Sequence, residues 1–401
     1  MGTRQIKLLR GMRDSTGASL LRAIEVQQAA MHYLNDAGYS PVDTPLLEES
    51  ELFVRKSGGE LASRLYTFTD PGGHEVGLRP EFTPSIIRYF VNESTNMDLP
   101  ARLQYAGPVF RYEPGNENLS RQQTQVGAEL VGGSGVEFDK EIVVLAFKGL
   151  SQLGLDVQIR LGNLGVVQSV LSKYQLSEAV NLFIISNLPE LKSDSTNVSS
   201  LKERAGMLGL QDSDENIDQL TSATTVSNED AQRFVSGVLR GSIATPVGRR
   251  STEQIVARLL RKFEVAGGNK SFEEALCLAS ELARVEGSVS SVLGRARAAV
   301  SARSISTDVL QPLSQLADSL IEDGIPDSKI ILDLGIARGF SYYTGTVFEL
   351  VGKSGDKPVS FGGGGRYDEL VRILGGDANI PALGFAYSLD TIVESLIEAG
   401  L

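Results

Sequence analysis

Two runs of alternating residues, 102–113 and 121–131, constrain this chain more than any other feature. Side chains alternate between the two faces of a strand, so each run predicts a long strand, with a polar loop at 114–120 between them. On the second run Thr124, Val126, Ala128 and Leu130 share one face, while Arg121, Gln123, Gln125, Gly127 and Glu129 share the other. On the first run Val109, Arg111 and Glu113 oppose Phe110 and Tyr112. One face therefore packs on a core. The other gathers Arg111, Glu113, Gln125 and Glu129, either as a solvated sheet surface or as a polar pocket covered by other elements.

The flanking segments fix the fold class. Leu20, Ile24, Met31 and Leu34 form an apolar stripe that predicts a helix over 19–38, closed by Gly38. Pro41 and Pro45 keep 39–47 extended. A hairpin is expected at 65–69 and 75–79 around Asp70-Pro71-Gly72-Gly73, followed by a helix over 83–91. Helix at 139–153 and strand at 156–161 complete the first part. This order predicts an α+β protein, an antiparallel sheet flanked by helices, rather than a βαβ repeat. Residues 165–325 are poor in strand-like runs and read as a mostly helical insertion of about 160 residues, the usual size of a domain. The core domain is then expected to comprise 1–164 and 326–401. Strands resume at 330–334 and 341–351. The glycine run 362–365 reads as a flexible turn before a helix at 366–374, and a last helix is expected over 384–399.

Composition narrows the chemistry. With one cysteine, Cys277, and two histidines, His32 and His74, the chain offers no disulfide, no multi-cysteine zinc site and no histidine-rich metal centre. Cys277 is expected in a helix core, and His74 at an exposed hairpin. The net charge of −12 argues against nonspecific nucleic-acid wrapping. No apolar run is long enough to span a membrane, and the first residues lack the apolar centre of a signal peptide, so a cytoplasmic protein is expected. The acidic stretch 212–218 begins like a calcium loop, but Ile217 stands where that loop needs glycine.

Five motifs then occur in register: Leu78-Arg79-Pro80-Glu81-Phe82-Thr83, residues 107–113, residues 121–132, residues 338–349, and Gly363-Gly364-Gly365-Arg366-Tyr367-Asp368. Together they resemble the catalytic core of histidyl-tRNA synthetase, a class II aminoacyl-tRNA synthetase. Pro45 stands where the class II dimer motif carries its proline. The resemblance implies a histidine pocket built from Glu81, Thr83, Arg111, Gln125, Glu129, Arg338, Tyr342 and Tyr343. Carboxylates and an amide can hold an ammonium and an imidazole N–H, and an arginine can pair with a carboxylate.

The nucleotide side departs from that family. The loop at 114–120 has lost its basic residues apart from Arg121, and Gln123 stands at the position of a base-stacking aromatic. After Gly384-Phe385-Ala386 the family carries a Glu-Arg pair whose arginine grips the ATP γ-phosphate; here the pair is Asp390-Thr391. Preorganised cations supply much of the stabilisation of a phosphate-centred transition state, so their loss predicts loss of ATP activation. No anticodon-binding domain is expected after residue 401. In these departures the chain resembles the regulatory subunits of short-form ATP phosphoribosyltransferases, which are synthetase paralogues. That resemblance implies a noncatalytic chain without metal or cofactor. It also implies a homodimer through the synthetase-like core, a hetero-oligomer with the catalytic transferase subunit, free histidine as ligand, and no tRNA or membrane partner. A divergent synthetase that still activates histidine is the alternative.

Overall fold

The computed structural model describes residues 5–55, 64–112, 120–193, 197–207, 269–336, 342–376 and 379–401. The chain divides into two compact units, one of Met1–Val167 with Leu282–Leu401, the other of Gln168–Glu281.

The first unit is built on a nine-stranded sheet, a mixed but mostly antiparallel arrangement flanked by helices, so the fold is α+β. Its strands are β1 (Ser40–Pro41), β5 (Ala101–Phe110), β6 (Gln122–Val131), β7 (Gln158–Asn163), β8 (Glu286–Gly287), β9 (Ile330–Asp333), β10 (Thr346–Ser354), β11 (Lys357–Arg366) and β12 (Ala382–Ser388). They lie in the order β1-β5-β6-β12-β11-β10-β7-β9-β8, with β1 parallel to β5 and β7 parallel to β9. A small sheet of β2 (Leu47–Glu49), β3 (Thr67–Thr69) and β4 (Glu75–Leu78) carries the expected hairpin, closed by Gly73 N donating to Asp70 O at 2.9 Å.

The helices that matter for the site are α1 (Gly17–Asp36), α2 (Thr83–Glu93), α3 (Val136–Gln152), α4 (Val289–Ser301), α5 (Gln311–Glu322) and α6 (Leu389–Glu398). Gly38, at φ 86°, takes the left-handed turn after α1 that a side chain would resist. The expected core stripe of α1 holds only in part: Leu34 is buried as expected, together with Val26 and Ala30, whereas Leu20 and Ile24 are exposed. Pro84 stands in the first turn of α2, where its missing N–H removes no helical bond. Helices α1 and α6 pack on each other and on the sheet, and α3 packs against β12.

Three expectations are corrected. The glycine run 362–365 is not a turn but the end of β11, inside the sheet between β10 and β12. A Cβ at Gly364 would lie 2.6 Å from Phe385 Cα, so this strand is glycine because its neighbour's backbone leaves no room. The helices expected at 366–374 and 384–399 shrink to Leu370–Ile373 and α6, since 382–388 pair with β6 and β11. Finally, the helical stretch expected over 165–325 is divided. Residues 282–325 belong to the sheet unit, where β8 pairs with β9 and α5 packs along α3.

The second unit is helical where described, with helices Glu178–Ser186, Leu188–Ser193, Asn197–Met207 and most of Asn269–Ala283. Ser177 caps the first of these by accepting from Val180 N at 3.3 Å. Cys277 is exposed there rather than buried, on the outer face of a helix whose inner face carries Ala275, Leu276, Leu278 and Ala279. The acidic stretch 212–218 lies outside the described residues. No helix among the described residues is long and apolar enough to cross a membrane.

Candidate functional site

The sheet unit holds a cavity of about 120 Å³ over the middle of the sheet. Glu81, Thr83, Arg111, Gln125, Tyr342 and Tyr343 line it, drawn from the turn before α2 and its first residue, from the segment after β5, from β6, and from the segment before β10. Glu129 lies behind this lining, 1% exposed, and reaches the same site through Thr83. Arg338 lies outside the described residues. The strand alternation therefore resolves as a pocket and not a solvated face: Gln125 and Glu129 share one side of β6, and other elements cover it.

Glu129 is the electrostatic centre. Its Oε1 accepts from Thr83 Oγ1 at 2.6 Å and from Tyr105 Oη at 3.1 Å, and its Oε2 accepts from Tyr367 Oη. Burial pushes the Glu129 carboxyl up to about 7, because the charged form is stripped of water. The three hydroxyls oppose that rise by stabilising the anion, and nearby Glu81 adds to it. Burial first, and then the Glu129 charge, holds the Tyr105 and Tyr367 phenols well above their ordinary range, so both are neutral donors. Glu81 accepts from Tyr342 Oη at 2.8 Å. The Tyr342 ring stands edge-on to Tyr367, with centroids 5.6 Å apart.

Backbone placement fixes these groups. Arg111 Nε donates to Pro80 O at 2.8 Å, tying the end of β5 to the turn that carries Glu81. Arg366 is buried against Asp139, donating to both carboxylate oxygens, and to Gly133 O at 3.0 Å. That fork locks the end of β11 and hence the neighbouring Tyr367. Gly384 is opposite Glu129 across β12 and β6, and a Cβ there would stand 2.5 Å from Glu129 Cδ. Gln125 Oε1 is buried with no hydrogen-bond partner among the described residues. An orphaned buried acceptor costs about 1–3 kcal/mol and so points to a ligand N–H.

Three of these contributors were not marked by the sequence. Tyr105 carries a signal, since it has the strand parity of Arg111 and lies opposite Gly127. Tyr367 stands inside a quoted motif, and Gly384 shows its role only through pairing register.

The nucleotide side of the family resemblance looks different. Asp390 Oδ2 accepts from Thr124 N at 2.7 Å, and Asp390 also pairs with Arg13, which reaches Glu394 at 3.2 Å. Thr391 Oγ1 is 3.0 Å from Ser388 Oγ. The Arg121 guanidinium lies over the Tyr112 ring, 4.6 Å from its centroid, and its backbone N donates to Gly11 O at 2.8 Å. Gln123 lines the cavity. Residues 113–119 of the loop lie outside the described residues.

Comparison with known proteins follows this geometry. A family model described as histidyl-tRNA synthetase matches residues 11–235 and 239–392. A histidine-tRNA ligase of Methanocaldococcus jannaschii is 30% identical over 387 residues, covering 96% of this chain and 75% of that protein. Another, of Sulfurisphaera tokodaii, is 29% identical over 384 residues, covering 95% and 73%. Among solved structures, an ATP phosphoribosyltransferase regulatory subunit/histidyl-tRNA synthetase from Bacillus halodurans C is similar at a TM-score of 0.69 and 21% identity, covering 98% of this chain and 84% of that one. A histidine-tRNA ligase subunit from Alicyclobacillus acidocaldarius is similar at a TM-score of 0.64 and 22% identity, covering both chains fully. At those identities the two structures speak for the fold.

Proposed function

The chain belongs to the histidyl-tRNA synthetase family, and from that premise we propose that it is a noncatalytic regulatory subunit of a short-form ATP phosphoribosyltransferase. It binds free histidine in the cavity and takes part in feedback inhibition, while phosphoribosyl transfer occurs on the catalytic partner. The observation that carries this reading is the contrast between the two halves of the site. In the amino-acid half Glu81, Thr83, Arg111, Gln125, Tyr342 and Tyr343 line one cavity with Glu129 behind them, and Gln125 Oε1 has no hydrogen-bond partner among the described residues. In the nucleotide half, Asp390 and Thr391 replace the Glu-Arg pair and are occupied by Thr124, Arg13 and Ser388.

In this reading Glu81, Gln125 and Glu129 take the ligand's ammonium and imidazole N–H groups, and Arg111 takes its carboxylate. Thr83 and Tyr342 orient the two acids, and Tyr343 gives ring contact. Arg338 completes the set through the family motif. A homodimer fits the exposed Leu20, Leu21 and Ile24 of α1 together with exposed Leu46 and Leu47 beside Pro45. The proposed setting is the cytoplasm, with no tRNA partner.

The test is co-expression with a short transferase, followed by phosphoribosyl transfer assays with and without histidine. Activity that needs this chain and falls with histidine supports the reading; a transferase fully active alone and indifferent to the chain overturns it. A second reading, a synthetase that activates histidine, is favoured by the names of the curated relatives, which are histidine-tRNA ligases. It predicts histidine-dependent pyrophosphate exchange, which the regulatory reading excludes.

A further inference from the structure

Arg79 is a large charged side chain at 1% exposure, and no step of the proposed function uses it. Its closest partners are carbonyls, with the Thr44 hydroxyl a longer one at 3.4 Å from Nη1. Nη1 donates to Thr44 O at 2.6 Å and Nε donates to Pro108 O at 2.9 Å. Its backbone does the same work, since Arg79 N donates to Leu46 O and Arg79 O accepts from Phe110 N, both at 2.9 Å. One residue thus ties the segment before β2, the end of β5 and the turn carrying Glu81. The guanidinium also lies over the Phe82 ring, 3.7 Å from its centroid. Phe82 in turn stacks on Tyr105, with centroids 4.3 Å apart and planes 13° from parallel. Tyr105 ends the series with its hydroxyl on Glu129. Gly107 makes the approach possible, because a Cβ there would stand 2.7 Å from Arg79 Nη2 and 3.2 Å from Phe82 Cζ.

We propose that Arg79 is a positioning residue of the pocket: it clamps the Thr44 and Pro108 carbonyls, fixes the Phe82 ring, and so holds the Tyr105 hydroxyl where it donates to Glu129. A planar guanidinium can bind two carbonyls in its plane and stack an aromatic ring on its face at once; a lysine ammonium cannot. The consequence for the ligand rests on the histidine reading above, but the effect on Glu129 does not. Among the described residues, Thr83, Tyr105 and Tyr367 bear on the Glu129 charge by hydrogen bond, and Glu81 and Tyr342 through space. Arg111 lines the same cavity. Of these, the relay from Arg79 moves Tyr105.

The experiment compares wild type, Arg79→Lys, Tyr105→Phe and the double variant, with Phe82→Leu as a variant that keeps the Arg79 clamp and removes the stacked ring. Each ligand-free protein is denatured with urea from about pH 4 to 9, and the midpoint of Glu129 ionisation in the folded chain is read as the pH at which the linked loss of stability levels off. Losing one donor to the carboxylate raises that midpoint by about one unit in Arg79→Lys, in Phe82→Leu and in Tyr105→Phe. The double variant moves no further than Tyr105→Phe alone, because both act on one hydroxyl. A merely structural role for Arg79 lowers stability at every pH and leaves the midpoint in place. An unmoved midpoint in both Arg79→Lys and Phe82→Leu, or a double variant shifted by the sum, overturns the proposal. Calorimetry with histidine is the second reading, with affinity about ten-fold weaker in Arg79→Lys. Wild type that shows the midpoint pattern but binds no histidine refutes the ligand reading and leaves the relay standing.

Discussion

Replacing Glu129 with glutamine changes the pH dependence of stability in a direction that can be worked out in advance. The folded carboxyl is pushed up from 4.5 to about 7, chiefly by burial, with the Thr83, Tyr367 and Tyr105 hydroxyls holding it down. Below pH 4.5 the group is protonated in folded and unfolded chains alike, so its linked contribution is fully present. As pH rises past that value the unfolded chain releases its proton while the folded chain keeps it, so folding becomes less favourable. The loss is complete once pH passes the folded value near 7. The interval between 4.5 and about 7 corresponds to on the order of 3 kcal/mol. Glu129→Gln has no proton to release, so its stability lacks this component. Urea denaturation followed by far-UV circular dichroism suits a chain with no tryptophan. The difference between the variant and wild type should grow in the variant's favour from acid to neutral pH. Parallel curves across that range would show that Glu129 ionises as it does in water, and the description of the site as a desolvated carboxylate would fail.

Three further outcomes are expected. Gly384→Ala places a Cβ 2.5 Å from Glu129 Cδ and 2.6 Å from Ala128 O, so histidine affinity in calorimetry should fall by about 100-fold, with the α-helical dichroism retained. Arg366→Met leaves the buried Asp139 carboxylate without its cation, and the denaturation free energy should fall by about 3–5 kcal/mol. Cys277 should react fully with a thiol reagent in the folded protein, because it is exposed on its helix; protection until unfolding would contradict its placement.

What the sequence reveals depends on whether an element's signal lies in its own side chains. Strands β5 and β6 are legible because one face of each is apolar and the alternation runs for ten residues. Strand β11 is not, because residues 362–365 have no side chains to alternate, and their reason for being glycine is the backbone of β12. Strand β12 is masked by its continuity with α6, since Leu389 onward supplies a strong helical pattern that draws 384–388 into it. The expected stripe on α1 shows the opposite failure: Leu20 and Ile24 are apolar, but a helix with two apolar faces does not say which faces its own core. The pocket divides in the same way. Residues proposed to meet a ligand carry recognisable chemistry, whereas Tyr105 and Gly384 serve Glu129 across strands and are visible only through register.

The two halves of the site differ in what they leave unfinished, and the proposed regulatory role rests on that difference. Asp390 receives a backbone N–H and a guanidinium from its own chain, and Thr391 meets Ser388, so the position of the family's phosphate-gripping pair is satisfied without a nucleotide. Glu129 is surrounded by three hydroxyls, which are neutral: they can hydrogen-bond a carboxylate but cannot balance its charge. A ligand carrying a cationic N–H supplies the charge, and a donor on the same ligand can meet Gln125 Oε1. Binding would then displace the proton that burial holds on Glu129, so affinity for a cationic amino acid should rise with pH through about 7, as long as the ligand keeps its charge. In the proposed role, occupancy alone would then stabilise the site. Passing a metabolite level to a partner would further require that the ligand bind two states of the assembly with different affinities, since only that difference shifts the equilibrium.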